Sequence, residues 1–306
     1  MSTIFLAFIL SVTFITFFIY LQPKKFLEIA IKLSRKQAGL KAGSVTIKNS
    51  LCIAYLEGGH GKTIVMLHGF GGNKDIFVNF AKRLIKTNRV IIPDIIGFGD
   101  SSHPKDVDYS SLAQAGRINQ LLKELEVDSC HLLGNSMGAQ IAVTYAHSFP
   151  EKVKSLCLVS PSGVWTPPQS KIIEEIIKGE SNPLIAHTVQ EFSKILSIGM
   201  KKPPFLPKVL RDILAQERIS NALLEEAIFN ALLQDNIEEK VQEIDIPILV
   251  LYGKEDTIIS SESFAYLKQL QSSIQMACIP DCAHVATYEK PKKSAEIYLH
   301  FLGVSS

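Results

Sequence analysis

A serine at the centre of the run Gly-Asn-Ser-Met-Gly, residues 134–138, has a setting that suggests covalent chemistry. The Gly-x-Ser-x-Gly pattern follows an apolar, strand-like run at 131–133 and precedes a helical pattern at 139–147. A strand-to-helix turn of this kind presents the serine hydroxyl above the edge of a sheet, and its glycines permit a turn too tight for side chains. We therefore interpret Ser136 as a nucleophile. The alternative is a structural glycine turn that contains an incidental serine.

A serine hydroxyl is a weak nucleophile unless a neighbouring base accepts its proton, so a histidine is required. His284 is the candidate because it follows a strand-like run at 274–279 and precedes a predicted final helix at about 291–302. His68 is its competitor, but it comes before Ser136 and lies in a glycine-rich loop that suits another task. The pattern therefore favours His284 as the base.

The base must be held in the correct tautomer by a carboxylate. Asp256 lies just after the apolar strand at 248–251, and it gives the chain order Ser136, Asp256, His284. Glu255 is adjacent, but a shift of one residue would turn its carboxylate away from the site. Asp256 is therefore the predicted acid.

Negative charge develops on the attacked carbonyl oxygen, and fixed backbone N–H groups stabilise it. One predicted donor is the N–H of Met137, at the start of the helix that follows the serine. The other is the N–H of Phe70, in the run His-Gly-Phe-Gly-Gly at 68–72 that follows an apolar strand.

These residues need a scaffold, and the remaining sequence alternates strand-like and helical patterns. Such alternation predicts an α/β fold, with a mostly parallel central sheet, helices on both faces and the site at the carboxyl ends of the strands. We predict a core of residues 44–163 and 236–306, interrupted by a helical, proline-containing cap at 164–235. The apolar faces of the cap helices either pack on the core or form the wall of a pocket for a lipid chain.

The N-terminal residues 1–22 contain no side chain that is charged at neutral pH, and the run at 4–21 has about the length that a membrane-spanning helix needs. No positive start or small-residue cleavage site is present, so a retained single-pass transmembrane anchor is predicted rather than a signal peptide. Residues 23–43 are basic, which places the catalytic domain on the cytoplasmic side. This segment either lies on the membrane surface as an amphipathic helix or forms a solvated linker. Its charged residues at 24–41 are Lys24, Lys25, Glu28, Lys32, Arg35, Lys36 and Lys41.

Composition narrows the possible partners. The formal net charge of the 306 residues is only +2, so a nucleic-acid partner is not predicted. None of the five cysteines has the two-residue spacing of zinc or redox pairs, so no metal site is predicted. We predict no obligate protein partner.

From about residue 64 to its C-terminus the chain resembles the α/β-hydrolase superfamily. The motifs that carry the resemblance are His68-Gly69-Phe70, Asp94 with Gly97-Phe98-Gly99-Asp100-Ser101, the run at 134–138, Gly253 to Asp256, and His284 followed by Glu289-Lys290-Pro291. Together with the apolar N-terminus and the cap, they resemble the membrane-bound monoacylglycerol lipase branch and related bacterial lipases. The chain departs from many relatives in small ways, with Ala139 in place of a third glycine and Ile96 where proline is common.

The resemblance implies hydrolysis of monoacylglycerols or similar lipid esters through an acyl-enzyme on Ser136, without metal or organic cofactor. Two alternatives remain. One is a carbon–carbon bond hydrolase that acts on acidic ring-cleavage products, and the other is a non-catalytic membrane scaffold that kept the fold.

Overall fold

A computed structural model describes residues 5, 13 and 17–304 of the chain, and within them eight strands form one sheet. The strands are β1 (Lys41–Thr46), β2 (Cys52–Gly58), β3 (Lys62–Leu67), β4 (Asn88–Pro93), β5 (Cys130–Asn135), β6 (Val153–Val159), β7 (Ile248–Gly253) and β8 (Gln275–Ile279). Their order is β1-β2-β4-β3-β5-β6-β7-β8. β1 and β2 form a hairpin, and β2 pairs antiparallel with β4, whereas the pairs from β4 to β8 are all parallel. The predicted α/β architecture with a mostly parallel sheet is confirmed.

Helices connect the strands and form the cap. They are α1 (Pro23–Gln37), α2 (Val78–Leu84), α3 (Ser111–Glu124), α4 (Met137–Ser148), α5 (Lys171–Ile177), α6 (Val189–Gly199), α7 (Lys208–Ser220), α8 (Ala222–Leu233), α9 (Glu238–Glu243), α10 (Ser261–Leu270), α11 (Ala286–Glu289) and α12 (Pro291–Phe301). Parallel neighbours require crossover connections, and the helices supply them.

The central strands are buried on both faces. In β3 the side chains of Val65 and Leu67 join the hydrophobic cluster on one side of the sheet, whereas Ile64 and Met66 join the cluster on the other side. This alternation follows from the two-residue period of a strand, and a strand covered on both faces must be apolar throughout. The resulting rigidity fixes the carboxyl edge of the sheet, where the candidate site lies.

The cap consists of α5 to α8, which are inserted between β6 and β7. The side chains of Ala186, Phe192 and Ala215 form a small buried cluster within the cap. Because the cap leaves and rejoins the core above the carboxyl edge of the sheet, its helices can cover the site.

Most of the predicted anchor, residues 1–22, lies outside the described residues. Across residues 5, 13 and 17–304, no helix has both the length and the apolar character needed to cross a membrane. The basic segment is helical as α1, with Pro23 at its first turn, and Arg35 forms a bidentate ion pair with Asp75 at 2.7 and 2.6 Å. The end of α1 is therefore fixed to the core rather than being a free linker.

Candidate active site

The turn between β5 and α4 has a strained backbone at Ser136, where φ is 53° and ψ is −116°. A β-carbon on Gly138 would come within 2.1 Å of the carbonyl oxygen of Leu67, and one on Gly134 would come within 2.2 Å of the carbonyl oxygen of Gly138. Only glycine fits at these two positions. The two glycines therefore allow Ser136 to adopt a positive φ between a strand and a helix. Strained backbone of this kind recurs at functional sites.

Two unpaired backbone donors lie beside this turn. A β-carbon on Gly69 would lie 3.3 Å from the β-carbon of Ser136, so the loop after β3 approaches the serine closely. Among the described residues, neither the N–H of Phe70 nor that of Met137 donates to a backbone carbonyl, and both residues line the same cavity as Ser136. These N–H groups are free to bind a negatively charged oxygen.

His284 and Asp256 are hydrogen-bonded, with 2.9 Å between imidazole Nδ1 and carboxylate Oδ2. The other carboxylate oxygen accepts from the backbone N–H groups of Ile258 and Ile259, at 2.9 and 3.1 Å. Burial acts to raise the pKa of Asp256, but the adjacent imidazole and these backbone donors outweigh it and lower the pKa. The carboxylate therefore stays ionised, fixes the proton on Nδ1 and leaves Nε2 of His284 as the acceptor.

Ser136 and His284 line one cavity, but no hydrogen bond of 3.5 Å or less joins their side chains in the part of the chain that the structure describes. The two segments are linked through Asn135, whose side-chain amide donates to the carbonyl oxygens of Val159 and His284 at 3.1 and 3.2 Å. The predicted triad is thus joined from Asp256 to His284. The sequence offered no role for Asn135, which holds the histidine loop against the serine turn.

Glu255 has a different task from Asp256. Its carboxylate accepts a hydrogen bond from the N–H of Cys282 at 2.9 Å, and its own N–H donates to the carbonyl oxygen of the same residue. It therefore fastens the loop after β7 to the loop that carries His284.

His68, the competing histidine, is fully buried in another part of the site. Its Nε2 accepts from the N–H of Ile95 at 3.0 Å, which leaves Nδ1 to donate to the carbonyl oxygen of Gly69 at 2.8 Å. Burial lowers the pKa of this imidazole, so the ring is neutral at physiological pH. Both ring nitrogens are occupied, and His68 serves to hold the loop that contains Phe70.

A buried ionic network holds the other end of that loop. The ammonium group of Lys74 contacts both Asp94 and Asp100, and the latter distance is 2.6 Å. Burial acts to lower the pKa of Lys74, but the two carboxylates outweigh it and raise the pKa. Sequence reasoning missed this lysine, because nothing in its neighbourhood distinguishes it from a surface lysine.

The cavity above Ser136 has a volume of about 200 Å³, and its walls are mainly apolar. Core and cap both contribute side chains to it. The apolar residues on the wall include Phe70, Met137, Trp165, Ile173, Leu184, Ile195, Leu196, Met200, Phe229, Leu232 and Ile259. Such a wall suits an aliphatic chain.

Arg218 of α7 joins the cap to the loop that contains Phe70. Its guanidinium is paired with the buried carboxylate of Glu225 at 2.5 and 2.8 Å, and it donates to the carbonyl oxygens of Gly71 and Leu184 at 3.1 and 2.9 Å. It also lies 5.8 Å from the centre of the Phe70 ring. Arg218 lines the cavity, but its charge is neutralised by Glu225. This residue was not identified from the sequence.

The described residues contain no group of three His, Cys, Asp or Glu side chains that could hold a metal ion.

Comparison with known proteins identifies the family to which the chain belongs. Residues 62–291 match the family model described as the alpha/beta hydrolase fold. The chain belongs to the α/β-hydrolase family.

Several of the similar proteins are lipases. The chain is 37% identical to Lipase 1 of Psychrobacter immobilis, over 90% of this chain and 88% of that protein. It is 27% identical to the monoacylglycerol lipase ABHD6 of Homo sapiens, over 80% and 76% of the two chains. The crystal structure of a membrane phospholipase A, described as a bacterial virulence factor, matches with a TM-score of 0.89 and 32% identity over 99% and 98% of the two chains. The chain is a carboxylic ester hydrolase of the lipase and esterase type.

Proposed function

We propose that this α/β-hydrolase cleaves esters of lipid-like acyl groups, monoacylglycerols or related acylglycerols, through an acyl-enzyme on Ser136. The observation that carries the proposal is the apolar cavity, which has Ser136, His284 and the two free N–H groups on its wall. The neutral character of the cavity supports an uncharged head group, because Glu225 offsets the charge of Arg218. Arg218 is the only lysine or arginine among the described residues that line the cavity, and its pairing with Glu225 leaves no unpaired basic side chain to attract an acidic substrate.

In the proposed reaction, Nε2 of His284 accepts the proton of Ser136 as the hydroxyl oxygen attacks the ester carbonyl. Asp256 keeps the imidazole in the tautomer that can accept this proton and stabilises the cation that forms. The N–H groups of Phe70 and Met137 bind the oxyanion of the tetrahedral intermediate. His284 then returns the proton to the leaving alcohol, and water repeats the sequence on the acyl-enzyme.

The test is a comparison of turnover rates for monoacylglycerols of increasing chain length and for dienoic ring-cleavage acids, with the full chain in mild detergent. We expect turnover of the monoacylglycerols and none of the acids. Turnover of the acids alone would establish the carbon–carbon hydrolase instead, and turnover of neither would contradict the proposed substrate class. Ser136→Ala is the control, because background hydrolysis survives that change.

The proposal includes a membrane anchor at residues 1–22 and a catalytic domain on the cytoplasmic side. It is supported by the uncharged N-terminus and the lysines of α1. Cys278 is exposed on the catalytic domain and offers a reporter of its side. A membrane-impermeant maleimide should label it in inside-out bacterial membrane vesicles but not in intact spheroplasts, with Cys278→Ser as the control. Labelling in spheroplasts would contradict the orientation, and release of the protein by alkaline carbonate would contradict the anchor.

A further inference from the structure

The loop between α6 and α7 exposes an aromatic side chain to solvent. Phe205 is 91% exposed, more than any other large hydrophobic residue in the described part of the chain. Pro203, Pro204 and Pro207 surround it, and proline restricts the backbone. The loop therefore presents Phe205 outward rather than folding it back onto the cap.

Lysines flank this apolar tip. Lys202 pairs with Asp281 at 2.9 Å and Lys208 pairs with Asp212, while Lys201 is exposed and forms no ion pair with any described residue. The result is an apolar tip with ammonium groups at its base. This order suits the boundary between acyl chains and phosphate groups in a bilayer, where aromatic rings and lysines are both favourable.

The loop lies at the end of the molecule where the N-terminal segment enters. α7, which follows the loop directly, packs against α1. Leu21 and Pro23 face Val209 and Ile213 across a shared groove. Val209 is only four residues from Phe205, so a bilayer that held residues 1–22 would lie next to the loop.

The same loop begins at the wall of the active cavity, because Gly199 and Met200 line that cavity and immediately precede it. We infer that residues 201–207 insert into the surface of a phospholipid bilayer beside the anchor, with Phe205 as the inserted side chain. This arrangement places the cavity against the lipid surface, so that an ester reaches Ser136 from the bilayer. The inference rests on the proposed membrane attachment and deepens it, since it adds a second contact through the cap.

The test uses tryptophan as a depth reporter. Trp165 is the only tryptophan in the chain, so a Trp165→Phe variant has no tryptophan fluorescence. Phe205→Trp is added to that variant, and the full-length protein is reconstituted in phosphatidylcholine and phosphatidylglycerol vesicles, with or without brominated acyl chains. We expect a blue-shifted emission that brominated lipid quenches. The control is Leu112→Trp, which is 61% exposed at the start of α3 on the core and should be quenched only by aqueous iodide.

Phe17→Trp in the same background separates the two proposals. Quenching by brominated lipid at 17 but not at 205 would overturn the loop contact while leaving the anchor. Quenching at 205 alone would support the loop and contradict the anchor. A tryptophan at 205 that is shielded from both quenchers would indicate a protein partner or a second copy of the chain, and would also overturn the inference.

Activity provides an independent readout. Phe205→Ser should lower turnover of a long-chain monoacylglycerol embedded in vesicles by about tenfold or more, since tenfold is the lower bound for the loss of one buried aromatic side chain. Turnover of a water-soluble p-nitrophenyl ester should stay within about twofold, because Phe205 is not part of the cavity wall. Leu112→Ser should change neither rate. An equal loss on both substrates would show that Phe205 acts on the fold and not on the membrane.

Discussion

Replacing Arg218 with methionine tests the contact between the cap and the Phe70 loop. The side chain of Glu225 is only 2% exposed and that of Arg218 is 13% exposed, so the change leaves a carboxylate buried without its partner. Breaking a buried pair in this way costs about 3–5 kcal/mol of stability. The double variant Arg218→Met, Glu225→Gln contains no unpaired charge, and it should be more stable than Arg218→Met alone by about 2 kcal/mol.

The assay is equilibrium unfolding in urea in mild detergent, with the slope m compared among variants to confirm that only stability has changed. Lys208→Met is the control, because Lys208 forms an exposed pair with Asp212 on the same helix and should change stability by about 0.5 kcal/mol or less. A loss below about 1 kcal/mol for Arg218→Met, or a double variant less stable than the single one, would refute the buried-pair reasoning.

The same variant should lower kcat more than it changes KM. Arg218 contacts the carbonyl oxygen of Gly71, next to the N–H of Phe70 that is proposed to bind the oxyanion. Loss of a complete oxyanion donor costs about 10²–10³ in kcat, so a displaced donor should cost about tenfold or more. A rise in KM at unchanged kcat would instead make Arg218 a substrate-binding residue.

Three further changes probe the site. Asp256→Asn should lower kcat by about 10³–10⁴ in steady-state assays, since it fixes the wrong tautomer; a loss below tenfold would remove Asp256 from the proposed triad. Gly138→Ala should abolish activity because its β-carbon would meet a carbonyl oxygen at 2.1 Å, whereas Gly116→Ala, with nothing within 4 Å, should be folded and active. Because folding lowers the pKa of His68, the contribution of this residue to the free energy of unfolding should be fully present above about pH 6.5. Below that pH the contribution should fall by up to about 1.4 kcal/mol per pH unit. His68→Gln should flatten that slope in urea titrations at pH 5–7.5, and an unchanged slope would assign it to other groups.

Much of the core could be predicted because its signals are local. The helical pattern at 139–147 corresponds to α4 (Met137–Ser148) within two residues at each end. The two glycines around Ser136 are dictated by backbone contacts within the turn and with the neighbouring strand. Such constraints are visible in a short stretch of sequence.

The burial of certain charged residues could not be predicted, because a charged side chain is normally exposed to solvent. Lys74 and Glu225 are each 2% exposed. The carboxylates that pair with Lys74 lie 20 and 26 positions away, and Glu225 pairs with Arg218 on the preceding helix. Asn135 is similar, since its amide reaches a carbonyl group 149 positions away. No periodicity in the sequence reports contacts of this kind.

The central claim is that Ser136 carries the acyl group during turnover. The most direct measurement is intact-protein and peptide mass spectrometry after rapid acid quenching of the full-length parent protein during turnover of a long-chain monoacylglycerol. We predict that the peptide containing Ser136 gains the mass of the acyl group less the hydrogen that it replaces, and that the corresponding peptide of Ser136→Ala gains none. An acyl adduct on another residue, or turnover in Ser136→Ala at the parent rate, would contradict it.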